Sequence, residues 1–400
     1  MMKMQDEVLR TSRENYGTPQ YVFDLDTFYE RYDYFKRIFG EEIAINYCMK
    51  TNPFLTDAAL LKTDRIEVCS YGEFLICANL GIKPERLLIS GVLKKREDMR
   101  VIMDYGRDQA IYTAESPSQL AIIREIAAEL GITARVYMRL HCAQFGMDED
   151  TIIELLNSEN GEMEHIEFYG IHYFTGTQKH KLSKHTKEIQ KLDHFFERIF
   201  EETGREVKNL EYGTGFGVPY FEGQEETVTA EAELVEFKKL LQEMNWSGNI
   251  SLEMGRALAY NCGCYLTEIR DLKCSDGKNY AIVDGGIHQL HYDGQLRGMY
   301  VPKMHVIHRA DVDLTGEKKT YSIHGSLCTT NDVLVGNYES EELHKGDIVV
   351  FENVGAYSVY EGMSLFLSHE LPAIVLYSEQ SGLKLVRSMQ ETYHFNTPLR

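Results

Sequence analysis

No stretch of the sequence approaches the roughly 18–20 continuous apolar residues of a membrane span. The opening MMKMQDEVLR has no apolar run of the kind a secretory signal carries. A basic excess is missing too: the formal net charge is -20, which argues against nucleic acid and anionic membrane as partners. The eight cysteines are scattered and form no CxxC pair. That argues against a disulfide framework or a metal site and points to a reducing cytoplasm. There is no linker, low-complexity stretch or long internal repeat. What remains is 400 residues, 43% hydrophobic and 26% charged, an ordinary globular composition with length enough for two domains.

The first two-thirds alternates strand-like and helix-like patterns. Short apolar or β-branched runs occur at 43–48, 66–70, 86–90, 109–113, 134–140, 166–174, 209–213 and 249–254. Between them lie helical periods, such as Ser116–Leu130 with Gly131 as its stop and His185–Thr203. Eight such units predict an α/β fold, a parallel (β/α)8 barrel of the TIM type over residues 27–270; a doubly wound open sheet is the alternative. After about residue 270 helical periodicity gives way to strand-like runs separated by Gly, Asp and Asn turns. Residues 271–400, joined by 1–26 with the extended segment Gln20–Leu25, are expected to form a β-rich sandwich or barrel-like domain.

In a barrel of this type the reactive groups sit at the carboxyl ends of the strands. Lys50 ends the first run, Thr175-Gly176-Thr177 follows the sixth, Gly213-Thr214-Gly215-Phe216-Gly217 the seventh, and Glu253-Met254-Gly255-Arg256 the eighth. The glycine cluster can let backbone N–H groups close on an anion, with Arg256 adding charge. It can equally be a tight strand–helix turn. Lys50 is either an exposed strand-end lysine or a desolvated one whose lowered pKa suits covalent chemistry with a carbonyl. Glu253 either caps the next turn or faces a ligand nitrogen.

Taken together these segments resemble the fold-type III pyridoxal-phosphate (PLP) decarboxylases, the group of diaminopimelate and eukaryotic ornithine decarboxylases. Tyr47-Cys48-Met49-Lys50-Thr51-Asn52 is similar to that family's YAxKAN segment, and Glu67-Val68-Cys69-Ser70-Tyr71-Gly72-Glu73 to its DxxSxGE. The stretch from Gly170 to Gln178 resembles GLHxHxGSQ, Tyr212–Gly217 the phosphate-binding GGG loop, and Glu253–Arg256 EPGR. Further on, Cys328-Thr329-Thr330-Asn331-Asp332 resembles CExxD, and Gly355-Ala356-Tyr357-Ser358 resembles GAYG. The resemblance implies a cytoplasmic amino-acid decarboxylase whose cofactor is PLP, held by Lys50. It implies that Glu253 pairs with the pyridine nitrogen, that Gly213, Gly215, Arg256 and Tyr357 bind the phosphate, that Thr177, Thr214 and Gly255 also contact the cofactor, and that Tyr357 helps build the shared site. It also implies a homodimer with shared active sites, in which Cys328 comes from the partner and reprotonates the substrate carbon, and Asp332 helps build the site.

The pattern departs from the family where ring and substrate are met. Phe174 stands where a second histidine stacks on the ring; His172, two residues earlier on the same face, is either structural or catalytic. Thr329 stands where diaminopimelate decarboxylases carry an acid. Gly286–Gly294, with His288, lacks the RPxLY arginine, and Arg297 lies nearby in another setting. These departures suggest a small amino-acid substrate that is modified or carrier-linked. A true meso-diaminopimelate decarboxylase, an amino-acid racemase and a non-catalytic homologue are the alternatives. Glu253 weighs against the racemase, where an arginine faces the pyridine nitrogen. Keeping Lys50, Glu253 and Cys328 together weighs against a binding-only homologue.

Overall fold

The computed structural model describes residues 4–312, 314 and 316–399. Residues 1–3 and 400, at the two ends of the expected β-rich domain, lie outside them, as do 313 and 315. The described chain divides into two compact units.

The first unit holds Tyr32–Val218 and Glu226–Ala257. Eight parallel strands close into a barrel: Ile43–Cys48, Arg65–Val68, Leu87–Ile89, Ile111–Ala114, Ala134–Arg139, Ile166–Phe174, Asn209–Gly213 and Asn249–Met254. The last pairs with the first, with Asn46 opposite Glu253. The helices between them are set by local chemistry. Ser116 caps Pro117–Leu130 by accepting from the Gln119 N–H, and Gly131 ends it in the left-handed conformation. Ser70 likewise caps Tyr71–Asn79, while Glu73 reaches back to the Cys69 N–H at 2.6 Å. The barrel strands are buried on nearly every residue, as a parallel sheet covered by helices requires.

The second unit is a nine-stranded, mostly antiparallel sheet. Its central strand Gln20–Asp24 is fully buried and lies between Gly263–Ser275, antiparallel, and Ala373–Ser378, parallel. The N-terminal segment is thus built into this sheet, as its extended pattern suggested. Gly263–Ser275 spans residue 270 and belongs wholly to the sheet. A helix at Asp6–Tyr16, which the sequence reading did not anticipate, precedes the central strand. Among the described residues no helix is long and apolar enough to cross a membrane.

Candidate active site

The carboxyl ends of the barrel strands gather a set of buried charges. Lys50 sits in the short turn Met49–Thr51, immediately after the first strand. Its Nζ donates to Glu67 Oε2 at 2.7 Å and Oε1 at 3.0 Å, and lies 3.3 Å from Cys69 Sγ. Glu67 is held in turn by the Ser90 hydroxyl at 2.6 Å. Register explains the meeting, because Cys48 and Glu67 are direct partners on neighbouring strands. The Glu67 side chain is 2% exposed and that of Lys50 36%, so the pair straddles the mouth.

Burial alone would raise the Glu67 carboxyl, but the Lys50 ammonium and the hydrogen bonds from Lys50 and Ser90 outweigh it. The carboxyl is held well below the usual carboxylate range. For Lys50 burial opposes the ammonium, yet the Cys69 sulfur and the Glu67 carboxylate hold it well above the ordinary lysine value. The expected lowering of the Lys50 pKa is therefore corrected: the lysine is desolvated, but it is also paired. Glu67→Gln should move the pH midpoint for amine labelling of Lys50 in the apoprotein downward. Its cost in stability should be small, about 1 kcal/mol or less, because Lys50 reaches solvent. An unchanged midpoint would show that Glu67 does not hold the proton on Lys50.

Glu253, on the eighth strand, is a buried carboxylate beside His172, whose Nε2 is 3.3 Å from Oε2. His172 Nε2 also lies 3.2 Å from Glu253 Oε1, so one imidazole faces both carboxylate oxygens. His172 Nδ1 is buried with no hydrogen-bond partner among the described residues. One ring nitrogen for two buried oxygens leaves the carboxylate able to take a further donor from a ligand. A second interior acid, Glu211, accepts from Asn46 Nδ2 at 2.8 and 3.0 Å. Burial, then the neighbouring Glu253, pushes its pKa well up.

The glycine loop follows the seventh strand. Gly215 has φ +56°, and a Cβ there would lie 1.9 Å from the Gly176 carbonyl. At Gly213 a Cβ would meet the Phe174 ring at 2.5 Å. Thr214 binds the Glu253 carbonyl through its N–H and hydroxyl. Arg256 Nε donates to Thr177 Oγ1 at 3.1 Å, and Gly255 lies against Thr51. The barrel thus brings together Lys50, His172, Phe174, Thr177, Gly213, Thr214, Gly215, Glu253, Gly255 and Arg256. A lysine at the barrel mouth, a buried carboxylate served by one imidazole and a glycine cradle beside an arginine suit a phosphorylated aromatic cofactor with a protonated ring nitrogen.

The remaining expected residues belong to the other unit. Thr329 and Arg297 line one cavity of about 490 Å3, with Leu290, Leu296, Met363 and Phe366 among its walls. Asp332 accepts from the Ile287 and Leu327 N–H groups at 2.9 and 2.7 Å. His288 is buried, both ring nitrogens have no hydrogen-bond partner among the described residues, and its ring lies tilted at 41° to that of His369 with centroids 5.0 Å apart; burial lowers its pKa to about 4. It is not among the residues lining the Thr329 cavity. Cys328 is an exposed free thiol, and Tyr357 takes a positive φ of 67°.

Glu67 and Glu211 were given no role by sequence reasoning. The signal for Glu67 lay in its position: it is the first residue of the quoted Glu67–Glu73 stretch, on the strand beside Lys50. A buried pair of Arg139 with Glu115, at the ends of neighbouring strands, also went unread.

Comparison with known proteins follows the same lines. The family described as "Pyridoxal-dependent decarboxylase, pyridoxal binding domain" matches residues 25–260. The diaminopimelate decarboxylase of Aquifex aeolicus is 27% identical over 409 residues, covering 97% of this chain and 92% of that protein. The L-glutamyl-[BtrI acyl-carrier protein] decarboxylase of Niallia circulans is also 27% identical, over 417 residues, covering 96% and 94%. The solved diaminopimelate decarboxylase of M. jannaschii in complex with L-lysine superposes with a TM-score of 0.83. It covers 98% of this chain and 94% of that one, and at 23% identity it is a likeness of fold.

Proposed function

The chain belongs to the pyridoxal-dependent decarboxylases, and we propose that it removes the α-carboxylate of an amino acid whose distal end is modified or carrier-linked, in preference to free meso-diaminopimelate. The observation carrying the decarboxylase reading is Glu253, a buried carboxylate served only by the His172 imidazole among the described residues, in the same barrel as Lys50 and the glycine loop. Bound PLP supplies an electron sink for the charge left when CO2 departs. Lys50 would hold the cofactor, and Glu67 would fix Lys50 Nζ at the mouth. Glu253 would keep a proton on the pyridine nitrogen, with His172 steadying the carboxylate and Phe174 lying against the ring. Gly213, Thr214, Gly215, Thr177, Gly255 and Arg256 would enclose the phosphate.

Leu296, Met363 and Phe366 are left 62%, 50% and 42% exposed around the Thr329 cavity. Clustered apolar exposure of this kind supports a homodimer, in which Cys328 of a second copy returns a proton to the substrate α-carbon and Asp332 helps enclose the substrate. Cys328→Ala should then lower kcat by about 10²-fold or more while cofactor content stays constant. Equal kcat in the variant would remove Cys328 from the reaction. Eight free cysteines fit a reducing cytoplasm.

The substrate reading rests on what surrounds Thr329. A threonine there supplies no charge for a distal ammonium; the cavity has largely apolar walls, and of the charged side chains lining it Arg297 is exposed while Glu361 lies 3.5 Å from His291 Nε2. The carrier-protein decarboxylase is as similar in identity as the diaminopimelate enzyme, 27% each. CO2 release should be measured with free meso-diaminopimelate, lysine, ornithine and glutamate, and with aminoacyl groups loaded on a carrier protein. Efficient turnover of meso-diaminopimelate would overturn the substrate assignment. So would a clear preference for free lysine or ornithine.

A further inference from the structure

We infer that Lys179, together with Glu188 and Tyr212, fixes the backbone segments that would enclose the cofactor phosphate, and so sets cofactor affinity. This rests on the PLP reading above, and Lys179 is a positioning residue that need touch neither cofactor nor substrate.

Lys179 lies in the loop after the sixth barrel strand and is stitched to the glycine loop through its backbone. Its N–H donates to the Gly215 carbonyl and its carbonyl accepts from the Gly217 N–H, both at 2.9 Å. Its side chain is buried, with Nζ donating to Glu188 Oε2 at 2.9 Å and Thr175 Oγ1 at 3.3 Å. The stem also covers Gly215, where a Cβ would come 2.9 Å from Lys179 Cε.

Proton accounting closes the network. Glu188, on the helix Leu182–Thr203, accepts from Lys179 Nζ, the Thr175 hydroxyl and the Tyr212 hydroxyl. Three donors on two oxygens require a carboxylate, which balances the Lys179 charge. Because the Tyr212 proton goes to Glu188, the Tyr212 oxygen accepts from His185 Nδ1–H at 2.8 Å. Burial, reinforced by Lys179, holds His185 down to about pKa 3, so it stays neutral. The network ties Thr175, Lys179 and Tyr212, which flank the phosphate-facing segments 175–177 and 213–217, to one helix. A cluster whose charges balance adds little field at the phosphate. Its contribution is geometric: it selects one backbone arrangement before the cofactor arrives.

The test uses the full chain stripped of cofactor, titrated with PLP and with pyridoxal, which lacks the phosphate. Lys179→Met and Glu188→Gln should each raise the PLP Kd tenfold or more. The pyridoxal Kd should stay within twofold, and turnover at saturating PLP within threefold. If either single variant fails to fold, the double variant K179M/E188M replaces the ion pair with an apolar one and carries the same expectation. Equal shifts for PLP and pyridoxal, no shift for either, or tighter PLP binding by Glu188→Gln would overturn the inference. If the unsubstituted chain bound no PLP, the decarboxylase reading itself would fall, a result distinct from any of these.

Discussion

Lys50→Ala is expected to abolish borohydride-trappable PLP and to lower CO2 release on the order of 10⁴-fold or more, the scale of losing a covalent catalytic group. The geometry makes this lysine hard to replace. Lys94, buried after the third strand, spends its Nζ on the Ser90 and Gly91 carbonyls at 3.3 and 2.7 Å. Lys179 is committed to Glu188. Neither is free to take over. The variant should also carry a pH signature of its own. Without Lys50, Glu67 stays buried with its counter-ion gone, and burial then raises its folded-state pKa above the unfolded value of about 4.3. Stability from such a group is full below the unfolded pKa and is lost as pH rises through the folded one. Lys50→Ala should therefore lose more melting temperature at pH 8 than at pH 5, and adding Glu67→Gln should remove the difference. PLP still covalently retained by Lys50→Ala would sink the assignment of the cofactor lysine.

Much of the barrel was legible because its strands are short apolar runs bounded by polar turns. Ile43–Cys48, Ile166–Phe174, Asn209–Gly213 and Asn249–Met254 stand where their patterns put them. The run at 109–113 begins later, at Ile111, because the Gln109 and Ala110 N–H groups are still bonded to Gly106 at the end of the preceding helix. The run at 86–90 is trimmed to Leu87–Ile89, since Arg86 closes a 3-10 turn begun by Pro84. Such losses are local hydrogen-bond choices that hydrophobic pattern does not encode.

The site was legible to the extent that its residues end strands. Lys50, Glu253 and the glycine loop follow from that rule alone. Glu67 and Glu211 do not, because a charged residue inside a strand reads as solvent-facing until closure of the barrel turns that face inward. The Lys179 network joins a strand end, a loop and a helix, and each of its residues is unremarkable within its own segment. The lysine pKa went astray for the same reason: its sign depends on a partner on another strand, 17 residues away.

The second large effect is at Glu253. Glu253→Gln keeps the side chain's shape but removes the charge that would hold a proton on the pyridine nitrogen. We expect kcat to fall by about 10²–10⁴-fold, the range for losing a positioned acid–base or electrostatic group. Cofactor should remain bound, because Lys50 and the phosphate-enclosing residues lie elsewhere on the rim. Stability should change little, since an amide is cheaper to bury than a carboxylate and can still meet His172 Nε2. Glu253→Ala differs in kind: it leaves His172, a buried imidazole, without its partner and opens a void, at about 2–4 kcal/mol. Comparing the two separates charge from packing. If Glu253 acts through its charge, both variants lose turnover alike while only the alanine variant melts early. If Glu253→Gln kept turnover within about fivefold of the parent, less than any acid–base group contributes, the carboxylate would be a structural partner of His172 and the electron-sink reading would lose its support in this barrel.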